Sequence, residues 1–337
     1  MAILLSVSAI VMSVMFRMSM AQGTMANRTQ MHAGVRSATE LLQQEVGQAG
    51  RVAIPTSTTP TSPVTLSAAA AGSGTSQGIG VSSTAGMFPG ETLLVGPDGT
   101  NGSQVEPFFV ASLTSNSITG VWQDPHASGA PVHVTGTFPS GIIPPATNTN
   151  CLGSGSPPAC KELSISGSSP ATVVVTTLSA AQASTGSVLK MFGDINGDGI
   201  PVYVEYWCDT ASGNLYRNVV TLPAAGTSPT TATKGSVTGS QVLLPNILPN
   251  PGGVPCFDYQ VKAVGNETYV VDVAITLTVQ TQFRDPQTNQ FQTETKALLN
   301  VSPRNIFEAW RIASAGVPSR LQPMPEAVLT LAGQATQ

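Results

Sequence analysis

Residues 2–16 (AILLSVSAIVMSVMF) are uncharged, and nothing that follows them stops the helix they would form. Alone, a helix of that length reaches about 22 Å, short of the roughly 30 Å hydrocarbon core of a bilayer. A cleaved secretory signal would use Ser19-Met20-Ala21 as its small-x-small site. Against that, no basic region precedes the run, and Arg17 stands between the run and the site. The helical pattern instead continues past Arg17. Met31, Val35, Ala38, Leu42, Val46 and Ala49 recur at steps of three and four, with Gln30, Arg36, Glu40, Gln43, Gln44 and Gln48 between them. No proline intervenes before Pro55, and Gly23, Gly34 and Gly47 weaken a helix without breaking it. The spacing predicts one helix of roughly fifty residues, about 75 Å long. Its first third is apolar on every side; the rest is two-faced. A secreted enzyme that sheds its signal has no need of that continuity.

The stretch from Gln30 and Arg36 through Glu40, Leu42, Glu45, Ala49 and Gly50, directly after an apolar helix, resembles the type IV pilin-like proteins. It is most similar to the PilW-like minor pilins and the J-type pseudopilins of type II secretion, in which L-x-x-E/D-x-x-x-A-G closes the helix. The family's basic leader, its Gly-Phe-Thr-Leu-Ile-Glu cleavage motif and that motif's Glu are absent, so MAILLSVSAIV is expected to correspond to the middle of the family's helix. The resemblance implies a helix held in the bacterial inner membrane and later packed among like helices. It implies other pilin subunits and the assembly platform as partners, and an extracytoplasmic β domain. Arg17, Arg36, Glu40 and Glu45 are then candidates for contacts between helices, with a solvated helix face as the ordinary role of each.

Across 337 residues, 14 basic and 18 acidic side chains make only 9% charged, against about 25% in ordinary soluble domains. Basic clusters able to displace counterions from phosphates are missing, so no nucleic-acid partner is expected. With 41% hydrophobic residues, charge-driven disorder is excluded as well. The expected fold class is α+β: a long N-terminal helix on an antiparallel β-sheet, with a small inserted β module. Five segments are expected. Residues 1–52 form the membrane and filament helix, and 53–87 a Ser/Thr/Gly-rich connection. Residues 88–137 form the inserted module, 138–303 the main sheet domain, and 304–337 a short helix over 304–314 with a poorly ordered tail.

Within the connection, Gly74-Thr75-Ser76-Gln77-Gly78 matches G-x-S-x-G, but the strand-to-helix context of a nucleophile elbow is missing and a flexible linker is expected. In the module, strands are predicted over 91–95, 105–113, 118–122 and 132–134. His126 and His133 lie at its edge, expected as surface residues rather than a metal pair. In the main domain 138–170 reads as loop, and strands are predicted over 188–192, 202–207, 215–222, 257–264, 269–283 and 291–301. The β-branched run around Val270–Val279 reads as a central strand.

Four cysteines in a weakly charged chain with a membrane-targeting start favour disulfides in an oxidising compartment. Of the three pairings, Cys151–Cys160 and Cys208–Cys256 are expected; four free buried thiols are the alternative. Zinc is not expected, since no C-x-x-C pair occurs.

One motif carries chemistry. Asp194-Ile195-Asn196-Gly197-Asp198-Gly199, running on to Glu205, fits a twelve-residue calcium loop. Asp194, Asn196, Asp198, the Ile200 carbonyl and a bidentate Glu205 would supply the oxygens a hard cation requires. Strand-like flanks predict a structural calcium site in a β-protein rather than a helix–loop–helix sensor. The functional expectation is a non-catalytic minor pilin or pseudopilin subunit. The alternative is a membrane-anchored, calcium-stabilised β adhesin outside any filament.

Overall fold

A computed structural model describes residues 2–54, 63–98, 105–134, 136–235, 241–297, 300–317 and 320–336. Helix α1 (Ala2–Gln48) runs 47 residues without a break at Arg17. From Ile3 through Met18 its large apolar side chains are exposed, Ile3 at 81% and Phe16 at 67%. Further along, Met31, Val35, Ala38, Leu42 and Val46 are buried, as the steps of three and four require. Two of the helical glycines have a packing reason. A Cβ at Gly23 would lie 3.2 Å from Pro286 Cγ, and one at Gly34 would lie 3.3 Å from Leu244 Cδ1.

After α1 the chain builds a module with a core of its own. Its strands are β1 (Val64–Thr65), β2 (Ala70–Ala71), β3 (Thr75–Gly80), β4 (Thr92–Val95), β5 (Glu106–Phe109), β6 (Ser112–Leu113), β7 (Ser117–Trp122), β8 (Pro125–His126) and β9 (Pro131–Val134). They pair in the orders β1-β9-β4-β5, β3-β7-β6 and β2-β8. Leu93, Phe108, Ile118, Trp122 and Val132 are buried between them, and Phe108 stacks on Trp122 at 4.0 Å. The module therefore starts at Val64 and not at residue 88. The expected connection over 53–87 is corrected: residues 64–80 of it supply β1, β2 and β3. Pro55 and Pro60 lie outside the described residues. The buried members Val64, Leu66, Ala70, Ile79 and Val81 are separated by Ser, Thr, Ala and Gly, a composition that reads as loop although the backbone pairs.

Next comes the hairpin β10 (Lys161–Ser166) and β11 (Thr172–Thr177), whose first strand forms where loop was expected over 138–170. The main body holds two sheets. One is β12 (Val188–Gly193), β13 (Val202–Asp209), β14 (Asn214–Thr221) and β15 (Val242–Pro245), in that order. The other places β18 (Glu267–Gln280) between β16 (Ile247–Leu248) and β17 (Phe257–Val264), with β19 (Thr293–Ala297) also pairing with β18. Helix α2 (Arg304–Ser314) adds Ile306 and Ala309 to the core that α1 shares with both sheets. Antiparallel sheets with a long amino-terminal helix make the fold α+β.

β12 and β13 are buried on both faces. Leu189, Met191, Val204 and Tyr206 join the core under α1. Phe192 and Tyr203 point the other way, against helix α3 (Glu326–Gly333). The expected poorly ordered tail is thus corrected, because Met324, Val328, Leu331 and Ala332 are fully buried. Both expected disulfides are present: Cys151–Cys160 closes a nine-residue separation and Cys208–Cys256 ties the end of β13 to the start of β17.

One buried ion pair fastens helix to sheet. Glu45 on α1 accepts from Arg217 Nε at 3.1 Å on both carboxylate oxygens, and also from Arg217 Nη2. It accepts the Tyr206 hydroxyl at 2.5 Å. Glu45, expected as a contact between copies or a solvated residue, is therefore spent within the chain. Burial, with the adjacent Glu45 carboxylate, pushes the Tyr206 phenol upward. Removing one partner of such a pair leaves the other charge uncompensated. Glu45→Ala is expected to lower stability by about 3 kcal/mol in equilibrium urea denaturation; a change under about 0.5 kcal/mol, as for a surface site, would remove this role.

Candidate functional site

Residues 194–201 close the β12–β13 hairpin. Asp194 is fully buried, and its Oδ1 accepts the Gly199 N–H at 3.1 Å. Gly197 and Gly199 sit at φ 76° and 83°, the left-handed region that glycine enters without a Cβ clash. Asp198 Oδ1 accepts the Ile200 N–H at 2.9 Å. The loop rests on the exit of α1: Gly50 N–H donates to the Phe192 carbonyl, and Asp194 N–H donates to the Arg51 carbonyl, each at 2.9 Å. Arg51 Nε approaches Asp194 Oδ2 at 3.4 Å. That oxygen is buried and has no hydrogen-bond partner.

The loop thus groups Asp194, Asn196, Asp198 and the Ile200 carbonyl. It does not include Glu205. Glu205 stands three residues into β13 beyond Val202, about 10 Å along the strand, opposite Lys190. Its Oε2 accepts the Tyr203 hydroxyl at 2.6 Å and Lys234 Nζ at 2.9 Å. A motif counts residues, but the strand ladder decides which face a side chain takes. Among the described residues no group of three or more His, Cys, Asp or Glu side chains is placed to hold a metal ion.

Sequence reasoning missed the residues around Glu205. Lys190 Nζ donates to the carbonyls of Ala181 and Ala332 at 2.5 and 2.8 Å, and Lys234 Nζ donates to the Gln334 carbonyl at 2.8 Å. Helix α3 has no basic residue in its own last turn, so two lysines from elsewhere meet the negative end of its dipole. Burial lowers the Lys190 ammonium to about 8, with nearby Glu205 opposing that shift. The signal was available: a Lys and a Glu inside otherwise apolar strand runs call for a buried partner.

In the module His126 is buried rather than on the surface, held 2.9 Å from Glu106 Oε2 and 3.4 Å from Asp98 Oδ2. The same Asp98 oxygen accepts the Ala127 N–H at 2.6 Å, and Glu106 Oε1 accepts the Gln123 N–H at 2.7 Å. The cluster pins the β7–β8 turn; His133 is exposed. Ser76 lies within strand β3 opposite Val121, with no strand-to-helix turn around it. An open cavity of about 710 Å³ separates module from body, with Ser83, Leu113, Ile165, Pro201 and Leu222 in its wall and Glu326 as its charged side chain.

Helix α1 is, among the described residues, the one helix long and apolar enough to cross a membrane, and its most apolar window is wholly exposed. Compared with protein-family models, curated proteins and solved structures, the chain matches none.

Two buried carboxyls set a pH dependence. Glu91 and Glu162 are fully buried, and burial pushes both well above the usual carboxylate range, against the opposing effect of the Phe88 backbone on Glu91 and the Ser140 hydroxyl on Glu162. The folded chain then keeps protons that the unfolded chain releases near the ordinary value, so stability falls as pH rises through that window. The melting temperature is expected to fall as pH rises from the ordinary carboxylate range toward neutral pH and above. Glu162→Gln is expected to raise it at the upper pH by about 2–4 °C per kcal/mol recovered. A variant no more stable than the parent there would mean that Glu162 is already ionised and solvated.

Proposed function

We propose that this chain is a non-catalytic minor pilin or pseudopilin subunit of a type IV pilus or type II secretion filament, anchored in the inner membrane before assembly. The observation that carries the reading is the unbroken α1, apolar and bare over its first third, docked on a sheet over its second half. A soluble chain does not leave a row of Ile, Leu, Val, Met and Phe side chains in water, because burying each contributes about 1.5–3 kcal/mol. Lipid satisfies that demand in the membrane, and sister helices satisfy it in a filament core. The same rod can move from one to the other without refolding the β domain, since Glu45 and the buried stripe hold only its distal half. Disulfides Cys151–Cys160 and Cys208–Cys256 fit an oxidising, extracytoplasmic setting. Cysteines introduced at Val7 and Val14 are expected to cross-link subunits to neighbouring helices in filaments sheared from cells. Recovery of the chain only as an uncross-linked membrane protein would favour the anchored adhesin instead.

Calcium belongs to the same proposal. The buried Asp194 Oδ2 without a hydrogen-bond partner supports it, and Asp194, Asn196, Asp198 and the Ile200 carbonyl would hold the ion with water completing its shell. Glu205 stays with Lys234. Two carboxylates and no bidentate Glu correspond to the weaker class of sites, with Kd on the order of 10⁻⁴–10⁻³ M. Millimolar calcium is expected to raise the melting temperature, an effect lost in Asp194→Ala and Asp198→Ala and retained in Glu205→Gln. Equal melting curves with calcium and with chelator would end the assignment.

A further inference from the structure

The long strand β18 and its shorter partner β19 carry their connection, residues 281–292, alongside α1. Pro286 meets Gly23, and the Thr24 hydroxyl donates to Asp285 Oδ1 at 3.3 Å. Asn27 Nδ2 donates to the Phe283 carbonyl at 3.5 Å, Arg28 Nε donates to Gln292 Oε1, and His32 faces Glu294 at 2.8 Å. The hairpin tip is thus strapped to α1 just beyond its apolar stretch. At that tip Phe283 is 59% exposed and Phe291 40% exposed. The Arg284 guanidinium lies 5.1 Å over the Phe291 ring. Two bare aromatic rings and an arginine are a poor choice for a solvated turn.

The level along the rod explains them. Residues 3–20 make a span of about 27 Å, close to the roughly 30 Å of a hydrocarbon core, with Arg17 able to extend its charge outward to the boundary. Gly23 then stands about 4.5 Å and Asn27 about 10 Å beyond Met20. Those distances bracket a headgroup layer of roughly 5–8 Å. Aromatic rings favour that boundary, where one part is dry and the other wet, and arginine there meets lipid phosphate.

We propose that the β18–β19 tip is a foot that rests on the phospholipid surface beside the span, with Phe283 and Phe291 entering the headgroup boundary and Arg284 contacting phosphate. The occupant is the bilayer because the foot is held against α1 directly beyond its exposed apolar stretch, at the depth of the headgroups. The inference rests on the membrane reading of α1 and adds a function to it. A single helix is free to tilt and rotate, whereas interfacial anchors set both. A foot strapped at Gly23, Thr24, Asn27 and Arg28 fixes the depth of the span and the face of the β domain turned toward a forming assembly.

All four native cysteines are in disulfides, so an introduced cysteine takes a nitroxide label alone. The full chain is reconstituted into phosphatidylcholine vesicles containing phosphatidylglycerol, labelled in turn at Phe283→Cys, Phe291→Cys, Ile10→Cys and Asn266→Cys. Asn266 lies in the turn at the far end of β18, about 45 Å from the tip by strand length. Accessibility to an aqueous nickel chelate is read for each by electron paramagnetic resonance. The labels at positions 283 and 291 are expected to be several-fold less accessible than the label at position 266, whatever the lipid-to-protein ratio. Tip labels as open as position 266, with position 10 shielded, would overturn the foot and leave the span intact. An open position 10 would overturn the span and the foot with it. Shielding at the tip that disappears as the protein is diluted in lipid would assign this surface to a second copy and overturn the lipid contact.

Discussion

One helix meets two surroundings here, packed protein over its distal half and none over its proximal third. Its distal half is dry because Met31, Val35, Ala38, Leu42 and Val46 pack on two sheets. Its proximal third has no protein to pack on. A helix this long does not persist through propensity alone; tertiary packing on one face is what holds it. Docking of residues 31–49 is therefore the condition for presenting residues 3–18 as a straight apolar rod. The buried Glu45–Arg217 pair then selects one register of helix on sheet, since the carboxylate finds a cation and the Tyr206 hydroxyl only there.

The body is built so that this docking is rigid. β12 and β13 are covered by α1 on one face and α3 on the other, and the face toward α3 carries Lys190 and Glu205 among apolar neighbours. Lys190 donates to the Ala332 carbonyl at the end of the last helix, and Glu205 holds Lys234, which donates to the Gln334 carbonyl beside it. At the end of the same two strands, the 194–201 loop bonds through its backbone to the exit of α1. Arg51, at that exit, also approaches the buried Asp194 carboxylate, so rod and loop meet through a charge pair as well. On the opposite side the β18–β19 connection touches α1 at Gly23. The rod is thus held at two levels, about 40 Å apart by helical rise, and that separation sets its direction.

Legibility varied with the kind of signal. The helix, the short α2 and six strands of the body were readable because each has a strong period or a β-branched run, and Arg304–Ser314 forms where spacing placed it. The disulfides were readable because each pairing closes a short or well-flanked loop. Strands β1–β3 and β10 were not, since Ser, Thr, Gly and small apolar residues leave no contrast between faces. Helix α3 was missed for a different reason. Eight residues are too few to show a period, and it is held by packing on Phe192 and Tyr203 and by Lys190 and Lys234, which reach its end from distant segments. His126 was misplaced because its partners, Glu106 on β5 and Asp98 in the turn after β4, lie at separations no local pattern records.

Local order could therefore be read from the residues: which segment is helix, which face is greasy, where a loop of Asp, Asn and Gly must bend. These depend on neighbours three or four positions away, and the chain carries them in its period. Where each charge ends up was settled by the fold. Glu205 stood at the twelfth position of a loop by counting, yet pairing with Lys190 across β12 turned it to the α3 face and gave it to Lys234. Glu45 was an ordinary helix carboxylate until β14 brought Arg217 beneath it. Electrostatic partners are chosen by distance in space, and spatial neighbours far apart along the chain exist only once strands have paired.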